Sequence, residues 1–281
     1  MNVLTEPKID SHCHVLDPAR FPYNPEVSYH PAGQEMGNAD YFRQLMDCYA
    51  VRHALLVGPN SGYATDNRCL LDAIARSAGA FKGIAVVPND CSLHELAHLK
   101  ALGVVGVAFN PSLMGFDFYS GIEPLLQRLK QLDLWAQFQI EGDGLLPFLP
   151  MLARVGVRVL IDHGGRPLRT GTTTIDLQSK GFEALLALGR EGRAVVKLSG
   201  MAKFSQTGYP FDDVKPCFET LVRHFGLDQC IWASDWPYLK APYRLDYGPM
   251  LRVYERWFEA HEWHQIMWTT PARLFGFGTS A

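Results

Sequence analysis

The sequence predicts an α/β protein with a (β/α)8, TIM-like barrel. Short apolar or β-branched runs alternate along the chain with longer segments whose apolar residues recur at helical spacing. Eight such runs occur in 281 residues, and a barrel of this kind typically takes about 250 residues. A doubly wound open sheet is the alternative, but no Gly-x-Gly-x-x-Gly turn follows the first run. We therefore expect one barrel domain over residues 1–281.

The eight predicted strands are short apolar or β-branched runs. In chain order they are Ile9–Val15, His53–Gly58, Gly83–Val87, Val104–Asn110, Leu134–Glu141, Arg158–Gly164, Ala194–Gly200 and Cys230–Asp235.

The predicted helices carry an apolar stripe on one face, as helices packed outside a sheet require. Clear stripes lie within residues 70–78, 122–132 and 214–225. The longest predicted loop follows the first strand, from Leu16 to about Ala39, and carries four prolines and several aromatic residues. Long loops of this kind are often lids or binding loops.

Composition favours a globular protein that binds a small molecule. Hydrophobic residues make up 47% and charged residues 20% of the chain, which is close to the average for globular domains. The net charge is −3, without a block of like charges, so a nucleic-acid or membrane-surface partner is not expected. No apolar stretch is long enough to span a membrane, and the N-terminus lacks the features of a signal peptide. The expected location is therefore the cytoplasm, and a homo-oligomer stays an open alternative.

The six cysteines are expected to be reduced, buried thiols. They lie far apart, without a Cys-x-x-Cys pair, and mostly within apolar runs.

The first motif of chemical interest is Asp10-Ser11-His12-Cys13-His14 at the end of the first strand. Alternate side chains of a strand share a face, so His12 and His14 are expected to converge, together with Asp10. Two imidazoles so placed can hold a divalent metal or position water and substrate. The alternative is a hydrogen-bonded pair of core histidines.

Two further motifs end the sixth and the eighth predicted strands. Asp162-His163 is followed by two glycines, which is typical of a backbone that a ligand approaches closely, and His163 is expected to face inward. Pro237 stops the eighth strand and leaves Asp235 at its mouth, where a carboxylate is a plausible general base for water. The alternatives are a capping role for His163 and an Asx-turn at Asp235.

Together these motifs resemble the amidohydrolase superfamily of metallo-dependent hydrolases, and more narrowly the amidohydrolase-2 branch that contains the 2-pyrone-4,6-dicarboxylate lactonases. The segments that carry the resemblance follow one another over nearly the whole chain. They are His-Cys-His-Val with a following Phe-Pro-Tyr, Ala-Thr-Asp-Asn at 64–67, Asp-His-Gly-Gly-Arg-Pro at 162–167, Val-Lys-Leu-Ser-Gly at 196–200 and Ser-Asp-Trp-Pro at 234–237.

The resemblance implies a barrel enzyme that hydrolyses a cyclic ester, such as a carboxylated pyrone or muconolactone-like ring, in the catabolism of aromatic compounds. It also implies that Asp235 removes a proton from the attacking water and that His163, with His12 or His14, polarises the lactone carbonyl. The residues expected to bind the substrate are Arg166, Lys203 and Lys197, which offer positive charge, and Tyr29 and Tyr63, which lie in loops.

The chain departs from this pattern at two positions. Ala108 stands where the dicarboxylate lactonase has an arginine, and Lys203 stands where it has another. Lysine keeps the charge but lacks the bidentate fork that matches a carboxylate. One substrate carboxylate is therefore expected to be absent or held differently.

The resemblance bears on the cofactor as well. Members of the superfamily that bind metal commonly use a histidine on the fifth strand, and here that strand, Trp135-Ala136-Gln137-Phe138-Gln139-Ile140, has none. A metal-independent enzyme is expected, and the alternative is one Zn or Mn ion held by His12, His14 and Asp235. Rival functions are a sugar lactonase or a metal-dependent decarboxylase of the same superfamily, and a non-catalytic barrel that binds a small ligand.

Overall fold

The computed structural model describes residues 1–170 and 174–278, and it contains all eight predicted strands. They form one sheet in chain order, with helices between them. The first three strands of the sheet pair in parallel, and so do the fifth, sixth and seventh. This is the predicted (β/α)8 fold class. The strands of the sheet are β1 (Lys8–Cys13), β2 (Val51–Val57), β3 (Phe81–Ala85), β4 (Val104–Phe109), β5 (Trp135–Phe138), β6 (Val159–Ile161), β9 (Ala194–Leu198) and β10 (Cys230–Trp232). Two short strands, β7 (Arg169–Thr170) and β8 (Thr174–Ile175), pair antiparallel between β6 and β9.

The helices connect these strands, and the three predicted stripes lie on α3, α7 and α10. The helices are α1 (Ala39–Cys48), α2 (Asn60–Tyr63), α3 (Arg68–Ala75), α4 (Leu93–Ala101), α5 (Pro111–Met114), α6 (Phe116–Tyr119), α7 (Glu123–Gln131), α8 (Leu149–Val155), α9 (Lys180–Arg190), α10 (Lys215–Phe225), α11 (Tyr247–Trp257), α12 (Ala260–His264) and α13 (Thr270–Phe275), with a π-helical turn at Gln265–Thr269.

The predicted strands were wrong at their C-terminal ends, several of which lie earlier in the chain than expected. The sixth, seventh and eighth predicted strands end at Ile161, Leu198 and Trp232. After each of them the backbone adopts a positive φ, of +54° at His163, +66° at Gly200 and +64° at Asp235. A left-handed residue cannot continue an extended ladder, so the polar motifs lie in turns beyond the strands.

The described chain forms two compact units, and the first comprises residues 1–88, 98–106 and the chain from Trp232 onward. Its buried strands β1, β2 and β3 pair in parallel. Just beyond β10, Trp236 forms a parallel bridge with Cys13 of β1 and stacks on Phe42 of α1 at 4.7 Å. The ends of the first and last strands of the sheet are thereby joined.

The second unit comprises residues 89–97 and 107–231. Strands β5, β6 and β9 pair in parallel, and aromatic side chains pack beside them, with Phe138 5.0 Å from Phe109 and 5.2 Å from Phe148 between ring centroids. Whether the chain is a single domain, as expected from its length, stays a prediction.

Two further predictions concern the cysteines and the membrane. All six cysteines are unpaired and five are buried, as predicted, but Cys48 is exposed because it ends α1 on its solvent side. Within the described residues, no helix combines the length and the apolar character needed to cross a membrane.

Candidate active site

The two histidines of β1 converge, as their spacing predicts. His12 and His14 are 2% and 8% exposed, and their Nε2 atoms lie 3.3 Å apart. Asp235 lies beside both, with its Oδ1 3.9 Å from His12 Nε2 and 3.8 Å from His14 Nε2. The first unit thus gathers two imidazoles and one carboxylate from the ends of β1 and β10.

The ring of His14 has a defined tautomer when it is neutral. Its Nδ1 lies 2.8 Å from the carbonyl oxygen of Val57, and a carbonyl only accepts hydrogen bonds, so Nδ1 carries the proton. The lone pair of neutral His14 is therefore on Nε2, which faces His12 and Asp235. A carbonyl that fixes the outer nitrogen in this way is a common feature of histidines that bind metal or exchange protons.

The backbones of the two strand ends hold Asp235 in place. The amide of Asp235 donates to the carbonyl of His12 at 2.9 Å, and the amide of His14 donates to the carbonyl of Trp236 at 2.8 Å. These reciprocal bonds fix residue 235 in a left-handed conformation, which an aspartate adopts at a modest cost and which often marks functional sites.

Asp10 holds the chain segments that carry His12 and Asp235 together, a role that the sequence analysis missed. Its carboxylate accepts from the amides of His12 (3.3 Å) and Ser234 (2.9 Å) and from the hydroxyl of Tyr247 (2.8 Å). Burial raises the pKa of Asp10 to about 6, although these hydrogen bonds oppose the rise. The carboxylate therefore joins both strand ends and α11. The sequence signal was a carboxylate inside a predicted strand, where a buried charge needs hydrogen-bond partners.

His163 belongs to the second unit and lies in the turn that follows β6. It is 1% exposed, and its Nδ1 lies 2.9 Å from Ser199 Oγ. Gly200 packs against the ring so closely that a Cβ atom there would lie 2.6 Å from His163 Cγ. The ring is thus held by a hydroxyl and packs against a glycine that leaves room for it.

Beside His163 lies a buried polar network on β5, β6 and β9 that the sequence analysis also missed. The ammonium of Lys197 donates to Gln137 Oε1 at 2.6 Å and lies 3.2 Å from Asp162 Oδ1, while Gln137 Nε2 donates to Asp162 Oδ2 at 2.9 Å. All three side chains are at most 2% exposed. The signal was present, because Gln137 and Lys197 interrupt apolar strands and buried polar groups need partners.

The remaining predicted substrate-binding residues are distributed over the two units. In the second unit, Arg166 is paired with Glu141 at 3.0 Å, and Lys203 ends a short 3-10 turn after β9. In the first unit, the hydroxyl of Tyr29 donates to Glu35, and buried Tyr63 accepts at its hydroxyl from the amide of Asp17 at 3.0 Å. The long loop after β1 packs on Tyr63 through Tyr23, at 5.2 Å between ring centroids.

A family model described as amidohydrolase matches residues 9–277 of this chain. The chain belongs to the amidohydrolase family. The 4-sulfomuconolactone hydrolase of Rhizobium radiobacter is 31% identical over 280 residues, which cover 95% of this chain and 89% of that protein. The 2-pyrone-4,6-dicarboxylate hydrolase of Comamonas testosteroni is 30% identical over 247 residues, which cover 82% and 76%.

A solved structure supports the same assignment. The crystal structure of a probable 2-pyrone-4,6-dicarboxylic acid hydrolase from Acinetobacter baumannii, with citric acid bound, has a TM-score of 0.82 to this amidohydrolase at 26% identity. It covers 97% of this chain and 100% of that one. The predicted family, barrel fold and enzyme class are thereby confirmed, whereas the roles of individual residues stay predictions.

Proposed function

We propose that this amidohydrolase opens a lactone that carries an anionic group, such as a carboxylated pyrone or a muconolactone-like ring. The observation that carries the proposal is the buried group of Asp235, His12 and His14, with carboxylate-to-imidazole distances of 3.8 and 3.9 Å. The names of the relatives, two of which are lactone hydrolases of anionic rings, support the substrate class.

The proposed chemistry starts with a water molecule held beside Asp235. The carboxylate takes a proton from the water while the water oxygen bonds to the lactone carbonyl carbon, as general base catalysis requires. The tetrahedral intermediate then collapses, the ring C–O bond breaks, and the proton held by Asp235 passes to the departing ring oxygen. The products are a free carboxylic acid and the released hydroxyl or enol.

His163 is the proposed donor to the carbonyl oxygen that becomes negative in this step. Its Nδ1 lies 2.9 Å from Ser199 Oγ, which holds the ring in the turn after β6. A donor placed where charge develops is worth about 10²–10³-fold in rate. In (β/α)8 enzymes the site lies at the C-terminal ends of the strands, and His163 lies in the turn that follows the end of β6.

Anion recognition is assigned to Arg166 and Lys203, and Lys197 receives a different role from the one predicted. The Lys197 side chain is 0% exposed, and Gln137 and Asp162 contact its ammonium. We propose that Lys197 holds the Asp162 carboxylate next to His163 and does not bind a substrate carboxylate. Tyr29 and Tyr63 remain candidates for covering the ring.

A single divalent ion is compatible with the residues present. The ligand atoms of His12, His14 and Asp235 all lie within 4.8 Å of one another. Because the Val57 carbonyl binds Nδ1 of His14, the lone pair of neutral His14 is on Nε2, which faces the other two residues. Imidazole and carboxylate ligands suit Zn or Mn. When bound, such an ion would lower the pKa of a coordinated water and polarise the carbonyl. We keep the metal-independent enzyme as the proposal and the one-ion enzyme as its alternative.

The test is a hydrolysis screen on parent protein stripped with chelator and on protein reloaded with Zn or Mn. The panel contains a carboxylated lactone, a sulfonated lactone, a sugar lactone and an aromatic carboxylic acid that reports decarboxylation. We expect ring opening of the two anionic lactones. Release of CO₂, or a preference for the sugar lactone, would contradict the proposal.

The same screen tests the base through Asp235→Asn, which keeps the shape of the side chain but cannot take a proton. Loss of a positioned base costs about 10²–10⁴-fold in rate, so we expect kcat to fall by that factor. The control is Asp47→Asn, because Asp47 is exposed on α1. Activity of Asp235→Asn within threefold of the parent would show that another group is the base.

A further inference from the structure

The guanidinium of Arg169 lies in an unusual environment. Both of its terminal nitrogens are buried, and neither has a hydrogen-bond partner in the described part of the protein. Nε of Arg166 is buried and unpartnered in the same way. Buried N–H donors of a cation are costly without an acceptor. Three such nitrogens on two arginines three positions apart indicate that an acceptor is supplied from outside the chain.

The backbone holds both arginines in fixed positions. The carbonyl of Arg166 accepts from the amide of Gly142 at 2.9 Å, and the carbonyl of Leu168 accepts from the amide of Asp176 at 2.7 Å. The Leu168 side chain fills the space in front of Gly142, and Arg169 pairs with Ile175 across β7 and β8. Three residues of extended chain span at most about 11 Å, so the two guanidinium groups can reach one ligand.

The nearby carboxylates do not supply the missing acceptors. Asp213 is close enough to Arg169 to sense its charge: burial raises the pKa of Asp213, but hydrogen bonds from Ser205, Gln206 and Thr207, together with the charge of Arg169, lower it below the ordinary value. Its oxygens accept hydrogen bonds of 2.6–2.8 Å from those three residues. Glu141 contacts Arg166 only through a terminal nitrogen.

Arg169 is within electrostatic range of the segment that follows β9, because its charge acts on Asp213. Asp213 is hydrogen-bonded to residues 205–207, which follow the turn that contains Lys203. Arg169 itself lies in the segment after β6 that also carries Arg166. It was not singled out in the sequence, because a lone arginine after a Pro-Leu pair carries no motif.

We propose that Arg169 is a specificity-determining residue that, together with Arg166, binds the oxyanion substituent of the lactone, a carboxylate or a sulfonate. The inference rests on the proposed function and names the group that its substrate must carry. A planar guanidinium offers paired N–H donors that match the oxygens of such an anion, which an ammonium does not. Binding would satisfy the buried donors of both arginines at once.

The experiment compares Arg169→Gln and Arg169→Lys with the parent and with a matched control, Arg193→Gln. Arg193 lies in the same unit and pairs at the surface with Glu191. The substrates are a carboxylated lactone, a sulfonated lactone and the neutral methyl ester of the carboxylated one. We expect Arg169→Gln to raise KM for the anionic lactones about 10- to 100-fold, as loss of a charge-assisted hydrogen bond implies. The ester should change less than threefold, and Arg169→Lys should fall between parent and Gln.

A binding measurement that needs no turnover separates this inference from the proposed function. Citrate is the probe, because it carries three carboxylates and is bound in a solved relative. Calorimetric titration should give a citrate Kd about 10- to 100-fold weaker for Arg169→Gln than for the parent, with Arg193→Gln unchanged.

Each outcome decides one of the two claims. If Arg169→Gln leaves citrate binding and the anionic lactones unchanged, or impairs the neutral ester equally, the inference is overturned. If the parent opens no lactone, the proposed function is overturned, and the citrate titration decides the role of Arg169. A larger effect on the sulfonate than on the carboxylate, or the reverse, identifies which oxyanion the pair receives.

Discussion

Replacing Gly200 by alanine should disable the enzyme by displacing His163. An added Cβ would lie 2.6 Å from both Cγ and Nδ1 of the imidazole and 2.8 Å from its Cβ. Ordinary van der Waals contact begins at about 3.4 Å, so ring or backbone must move by about 0.8 Å. The hydrogen bond from His163 to Ser199, 2.9 Å long, cannot survive that movement intact.

The expected losses of activity and stability follow from this displacement. A misplacement of about 1 Å in a catalytic group costs about 100-fold in rate, so we expect kcat/KM for a lactone to fall about 100-fold. Overpacking adds about 1–3 kcal/mol of destabilisation to the cost of the left-handed backbone, which is about 1–2 kcal/mol for alanine. At about 2 °C per kcal/mol for a chain of this size, Tm should fall by about 4–10 °C.

Gly192→Ala is the matched control for backbone strain. Its φ of +67° is nearly the same as the +66° of Gly200, but the nearest atom to an added Cβ is Gln229 Oε1, at 3.9 Å. The control should lose about 1–2 kcal/mol and keep its activity. Lactone kinetics and thermal unfolding of both variants check the prediction. If Gly200→Ala loses no more activity than Gly192→Ala, then the position of His163 does not limit catalysis.

The remaining predictions concern Asp10 and Ala108. Burial raises the pKa of Asp10 from 3.8 to about 6, so the folded state binds this proton more tightly than the unfolded state does. At 1.36 kcal/mol per pKa unit, the parent should lose about 2–3 kcal/mol of stability as the pH rises from about 4 to 7. Asp10→Asn cannot titrate at this position, so its free energy of unfolding in urea should rise relative to that of the parent by about that amount over the same pH range. A constant difference between the two proteins would contradict the raised pKa. Ala108→Arg should improve kcat/KM for a dicarboxylated ring relative to a monocarboxylated one about ten- to hundredfold, and no improvement, or a parent that already prefers the dicarboxylate, would show that another cation has the role.

Local sequence patterns were sufficient to predict the strands and part of the candidate site. The side chains of a strand alternate with a period of two, so the spacing of His12 and His14 alone predicted that their rings converge, and the 3.3 Å between their Nε2 atoms confirms it. The strand ends were predicted less well, because the left-handed residues His163 and Asp235 that terminate the ladders are not glycines.

The supporting groups could not be predicted in the same way. Asp10 is hydrogen-bonded to Tyr247, 237 positions away, and Lys197 to Gln137, 60 positions away. Gln137 and Lys197 are visible in the sequence as polar side chains inside apolar runs. Burial shows that such a residue needs a partner, but the sequence does not say which one, because many polar residues at other strand positions are equally eligible.

The sequence by itself determined the alternation of strands and helices, the family and the residue types at the strand ends, since these depend on periodicity and on short motifs. Only the tertiary structure decided which tautomer His14 adopts and that the ammonium of Lys197 is paired with Asp162. It also decided that the two terminal nitrogens of Arg169 have no acceptor among the described residues. These properties depend on distances between groups remote in the chain. The strength of a hydrogen bond and the cost of desolvation change steeply over less than an ångström. A local sequence pattern does not predict distances to that precision.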